Sequence, residues 1–359
     1  MTDSAAHHDR PASRLDGPAS RLDGPAPHPD GPASYSDREP ATRLHREPAV
    51  HLEHEPAAGS DREPAAPPGR ETPSEPEPFG PGDLLWEGMG DQRLMFLLGG
   101  ALVMQVMHPA IGAAVGEHSV YRTDPWGRLT RSLTSLQTWV YGGERAIEEG
   151  RRLRELHRDI SGVDDRGRSY HALSAEPYAW VHLTAFERAV TTLRYFGERP
   201  YTPDEERRLY EEIVRLGRIL RVPERMFPAT VEDYWDYFDD MVANTLEDHP
   251  TARDVLETTL TVGPPPVVPG PLRALWRPLG LTSGRINHFV TVGTLPAAVR
   301  AKLGLPWTVR DEARLRRLGR AVAATMPLLP ERARYLPIAY RARQAARARE
   351  RLVRAMRVA

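Results

Sequence analysis

Arg128 and Ser132 stand four residues apart in a segment where Leu129, Leu133, Leu136 and Val140 recur at helical spacing. The guanidinium and the hydroxyl therefore share one face of a helix expected over Trp126 to Tyr141. Such a pair is a donor fork for a carboxylate or for the anionic edge of a cofactor. Farther on, His157 is a lone histidine in a heavily charged helical segment, and a neutral imidazole is the commonest side-chain metal ligand. Each of these has a plainer reading. Arg128 could pair with Asp124 at the helix start while Ser132 bonds back into its own helix, and His157 could be a surface residue among Arg151, Arg152, Arg154 and Arg158. On the residues alone the plainer readings lead.

Most other chemistry lacks its residues. The 359-residue chain has no cysteine, which excludes disulfides, thiolate zinc sites, iron–sulfur clusters and thiolate-ligated haem. Beyond the N-terminal tail the histidines are His108, His118, His157, His171, His182, His249 and His288. None forms a His-Glu-x-x-His zinc motif, and no Gly-x-Ser-x-Gly elbow accompanies them. Asp164-Asp165 and Asp239-Asp240 are adjacent carboxylates, and adjacent residues do not face one site on a helix or strand. Gly280 to Gly284 is too short for a dinucleotide fingerprint and follows no expected strand. Conventional hydrolase, kinase and dehydrogenase chemistry is thus poorly supported.

The elements that must position these residues read as all-α. Helices are expected over Arg145 to Ile160, Pro177 to Gly197, Thr202 to Leu220 and Tyr234 to Leu246, the last two behind Thr202-Pro203-Asp204-Glu205 and Thr230-Val231-Glu232-Asp233. Further helices are expected over Arg273 to Leu279, Gly284 to Thr291, Pro296 to Leu303, Thr308 to Met326 and from Ile338 onward. No convincing series of strands is present. The prolyl run Gly263 to Pro271 cannot be helix and reads as a linker, or as a lid over a site. Leu94 to Val115 is apolar, but Gln105, His108 and Pro109 interrupt it, which fits two buried core helices better than a membrane span.

Domain organisation follows from composition. Sixteen of the 35 prolines fall between Pro11 and Pro81, and Pro11-Ala-Ser-Arg-Leu-Asp-Gly is repeated at once from Pro18. Residues 1–80 are expected to be a disordered, repetitive tail, since so few apolar groups cannot offset the entropy of ordering. One large helical domain follows over 83–343, then the basic end of a helix over 344–359. The net charge of −1 gives no global attraction to nucleic acid. The last helix carries Arg341, Arg343, Arg347, Arg349, Arg351, Arg354 and Arg357 against Glu350; it could touch anionic lipid, though a solvated face is the plainer reading. The N-terminus lacks the features of a secretory signal, so a cytoplasmic location is expected.

The run Gly99 to Ala110 with His108-Pro109, then Glu117-His118-Ser119, then Thr123 to Leu133 resembles the oxygenase family that includes latex clearing protein, a rubber oxygenase, and the fungal MpaB oxygenase. The similarity continues through Tyr141-Gly142, Leu156-His157, Ser161-Gly162, Tyr170-His171-Ala172 and Trp180-Val181-His182. A weaker pattern follows in Gly293-Thr294-Leu295-Pro296, Arg300, Gly304-Leu305 and Trp307. The order and spacing of these motifs carry the resemblance, which covers about Asp83 to Arg343.

The resemblance implies a globin-like helical core that holds haem b and oxidises or cleaves an apolar small molecule with dioxygen. It places His157 at the proximal iron ligand and Arg128 at the arginine of the Arg-x-x-x-Thr helix. Ser132 stands for the usual threonine and Arg131 for a distal-side lysine; Glu117 is the candidate acid or base. Bound haem would let Arg128 meet a propionate and Ser132 support His157 or a propionate oxygen. His171 and His182 are fallback ligands, and His108 is expected to be a core residue bonded to a backbone carbonyl. Two alternatives stand beside the oxygenase: a haem-binding sensor or carrier without turnover, and a cofactor-free helical ligand-binding protein.

Overall fold

The computed structural model describes residues 76–261 and 273–358. The expected tail, up to residue 75, and the prolyl run Gly263 to Pro271 lie outside the described residues. Among the described residues the chain is helical apart from one short two-stranded ribbon. Packing begins earlier than expected: Phe79 is buried, with the Arg215 guanidinium 4.1 Å from its ring centre.

The helices are α1 Leu84–Gly88, α2 Leu98–Val106, α3 Pro109–His118, α4 Pro125–Tyr141, α5 Arg145–His157, α6 Ala175–Phe196, α7 Pro203–Ile219 and α8 Val231–Asp240. Then come α9 Pro250–Thr261, α10 Arg273–Thr294, α11 Ala297–Lys302, α12 Val309–Thr325, α13 Glu331–Arg334 and α14 Pro337–Val358. Helix starts follow the sequence signals closely. Thr202 with Glu205, Thr230 with Asp233 and Thr308 with Asp311 each form a reciprocal capping box, satisfying amide donors that a helix start leaves orphaned.

Helix α6 is the central post. It buries Trp180, Leu183, Phe186 and Val190 at spacings of three to four residues, and Phe196 at its end. Phe186 meets the Tyr234 ring edge-on at 4.6 Å, and Tyr210, Trp235 and Phe238 complete an aromatic core among α6, α7 and α8. The apolar stretch after Leu94 is indeed two helices. Pro109 opens α3, and the axes of α2 and α3 bend by 106°. Gln105 donates to the Thr184 hydroxyl at 2.8 Å, so its polar group is satisfied by α6 rather than by water or lipid. No single described helix is long and apolar enough to cross a membrane.

Three features depart from expectation. Residues Arg273 to Thr294 form one helix rather than two. Helix α9 carries few apolar signals and forms against α2 and α10. The antiparallel ribbon pairs β1 Ser161–Val163 with β2 Ser169–His171 in the register Gly162 to Tyr170. Its turn is closed by Asp164, which accepts from the amides of Arg166 and Arg168, and by Gly167 at φ +78°.

Candidate cofactor site

Helices α4 and α5 form an antiparallel hairpin across Gly142–Glu144, a turn that needs Gly143 at φ +59°. Its register is pinned where the Ser135 hydroxyl donates to the Glu149 carboxylate at 2.5 Å and Arg152 donates to the Ser135 oxygen at 3.2 Å. From that pin Arg128 lies seven residues back on α4, about 10 Å, and His157 eight residues forward on α5, about 12 Å. Arg128 and His157 are therefore level, at the same end of the pair. That end is sparsely covered: Trp126, Leu129 and Leu133 on α4 and Leu153 on α5 are only half-buried, and Leu156 is 57% exposed.

Arg128 donates to the Ser132 hydroxyl, one turn on. Asp124 does not take it. That carboxylate caps the Gly127 amide at 2.9 Å and pairs with Arg131 at 3.2 Å, which overturns the plainer reading of Arg128. Arg128 is exposed on α4, and no described carboxylate pairs with it. Its remaining donors are free for an anion.

His157, half-buried at the last position of α5, has its Nδ1 2.7 Å from the carbonyl oxygen of Leu153. The carbonyl can only accept, so Nδ1 is the donor, and Nε2 is the ring nitrogen turned away from that contact. The other candidates are committed. His171 faces the Arg158 carbonyl through Nε2 at 3.0 Å and accepts from the Leu173 amide through Nδ1. His182 donates Nε2 to the Ile213 carbonyl at 2.7 Å, and burial pulls its pKa down to about 4. His108 is not bonded to a carbonyl as expected: both its nitrogens are buried without a hydrogen bond, with Glu176 3.6 Å from Nε2.

Glu117 sits across the ribbon from this end of the hairpin. Tyr170, buried on β2, donates its hydroxyl to Glu117 and lies 3.2 Å from His118 Nε2. The neighbouring residue on β2, His171, points the other way to the end of α5 at Arg158. The ribbon thus ties the Glu117–Tyr170–His118 group on α3 to the helix bearing His157. Tyr170 was not singled out as a site residue. Its signal was the alternation of strand side chains, lost because three-residue strands are too short to show a period.

The family model for the ER-bound oxygenase mpaB/B'/rubber oxygenase catalytic domain matches residues 86–324, two thirds of the chain and all of the elements just described. The chain belongs to this family. The match begins within α1 and ends within α12. An uncharacterised protein of Mycobacterium tuberculosis and one of Mycobacterium bovis are each 28% identical to it over 252 residues, covering 67% of this chain and 91% of theirs. No solved structure matches. Among the described residues, no three histidine, aspartate or glutamate side chains converge as a metal-ion site. An iron that arrives in a porphyrin asks less, because the ring supplies four nitrogens and the protein need supply one.

Proposed function

We propose that this oxygenase domain binds haem b and uses it with dioxygen to oxidise an apolar small molecule. The observation that carries the reading is the His157 imidazole, whose Nδ1–H is held by Leu153 while Nε2 stays unbonded. A histidine that ligates iron through Nε2 gives its Nδ1 proton to such a partner, a carbonyl among them, which orients the ring and raises its basicity. The donor set fits haem in a second respect. Arg128, level with His157 and lacking a carboxylate, would pair a propionate, with Ser132 holding the guanidinium in place. Arg131, engaged by Asp124, would reach the site only by releasing it.

Bound haem supplies the binding and activation of dioxygen, which no protein side chain here can perform. The chain's own residues do the rest. Leu153, half-buried, and Leu156, exposed, are the apolar side chains of α5 beside His157 that an apolar group could meet. Glu117 holds the Tyr170 proton, and the carboxylate and phenol together can accept or return a proton at the Tyr170 oxygen. His118 Nε2 lies beside them, 3.2 Å from the Tyr170 oxygen.

Expression with a haem precursor should give a protein with a Soret band, and adding a substrate should make oxygen consumption depend on it. A Soret band without oxygen consumption on any apolar substrate would favour the sensor alternative. A folded protein that takes up no haem would refute the reading.

A further inference from the structure

The α14 helix is unevenly held. Its first turns are fixed: Gln137 Oε1 accepts from the amides of Ile338 and Ala339, Arg343 pairs with Glu87 at 2.6 Å, and Arg347 pairs with Glu331. From Ala348 to Arg357 every residue is exposed. Ten residues of helix, about 15 Å, therefore run on without packing against the domain.

That free segment has two faces. Leu352, Val353 and Met356 are 61%, 42% and 64% exposed and fall within about 100° of each other on the helix. Arg351 and Arg354 occupy the opposite side and Arg357 a border, while Arg349 opens the apolar face one turn before Leu352 and Val353. Charge is concentrated in the same region. Between Val309 and Val358 there are fourteen arginines and four carboxylates, in a chain whose net charge is −1. The only carboxylate on the free segment, Glu350, is 4.0 Å from Arg354.

Neutralising the helix dipole accounts for arginines in the last turn, but not for an apolar ridge between them. A second copy of the helix would set arginine against arginine, and the phosphates of a nucleic acid offer nothing to Leu352 and Met356. We infer that the end of α14 docks on an anionic lipid surface, with Leu352, Val353 and Met356 in the acyl boundary and the arginines on the headgroups. This surface is independent of the haem reading.

Sedimentation of the full chain with vesicles tests it. The protein should pellet with mixed phosphatidylcholine–phosphatidylglycerol vesicles at low salt, and not with phosphatidylcholine alone. Joint replacement Arg349→Gln, Arg351→Gln and Arg354→Gln should weaken binding about a hundredfold, at about fivefold for each charge. Leu352→Gln with Met356→Gln, which keeps helix propensity and every charge, should also weaken it. The proposal fails if anionic vesicles do not bind the protein, or if the Leu352/Met356 variant binds unchanged. It fails equally if that variant abolishes a concentration-dependent dimer in a protein that ignores vesicles.

Discussion

His157 and Leu153, one helical turn apart on α5, share a 2.7 Å contact between the imidazole Nδ1 and the backbone carbonyl. The contact runs back one turn to a carbonyl of the same helix and fixes the orientation of the ring. It also settles which ring nitrogen remains available. His157 is half-buried between the exposed Leu156 and Arg158, with its ring oriented by the backbone of its own helix.

The two arginines of α4 should behave differently. Arg128→Gln removes a cation with no carboxylate partner and should weaken haem retention by about ten- to a hundredfold, the value of a hydrogen bond to a charged group. Arg131→Gln removes a surface pair with Asp124 and should change retention by less than about fivefold. Titration of the apo-protein with haem separates them, and equal effects would remove Arg128 from the site.

Tyr170 links α3 to the ribbon, so Tyr170→Phe should cost about 1 kcal/mol by removing its hydrogen bond to Glu117. Burial, then the Glu117 hydrogen bond, push the phenol up to about 12. Because the folded pKa lies above the ordinary 10, this contribution is complete below pH 10 and fades as pH rises toward 12. Urea midpoints of the two proteins should therefore converge over that interval. If Glu117 and Tyr170 also move a proton in turnover, Glu117→Gln should alter the pH profile of oxygen consumption more than its midpoint at neutral pH.

How much could be read from the sequence depended on range. Capping residues act within one turn, so the starts of α7, α8 and α12 were legible. The Arg128–Ser132 fork was legible for the same reason, being four residues long. Whether Asp124 chose Arg128 or Arg131 was not, since both lie within reach and side-chain packing decides. The levelling of Arg128 with His157 depends on the length of a turn and on Ser135 finding Glu149. The ribbon and α9 depend on tertiary contacts that short segments do not announce. The family pattern supplied what periodicity could not: a reason to single out His157.

Acid should destabilise the domain through His182. Burial lowers its pKa from 6.5 to about 4, so the folded state keeps it neutral while the unfolded state takes up a proton. The stability it contributes is present above pH 6.5 and lost as pH falls toward 4, about 3 kcal/mol over that interval. Urea unfolding of the wild type and His182→Gln should show the variant, although less stable at neutral pH, losing less on acidification.

Glu187 and Arg188 form a buried ion pair, with Thr191 donating to Glu187 at 2.7 Å and Arg188 donating to the Thr294 carbonyl at 3.0 Å. Gly100 makes room for it, since a Cβ there would stand 2.6 Å from Arg188 Nη1. Arg188→Met should cost about 3–5 kcal/mol by stranding the Glu187 carboxylate. Replacing both residues by Gln and Met should restore part of that loss, which thermal melts would register.

The direct test of the iron ligand is the spectrum of His157→Gly reconstituted with haem, before and after adding free imidazole. The wild type should show a Soret band of a histidine-ligated haem. The variant should lose or shift it, and imidazole entering the vacated space should return it toward the wild-type position. A His157→Gly protein whose haem content and Soret band match the wild type without imidazole would show that iron is held elsewhere.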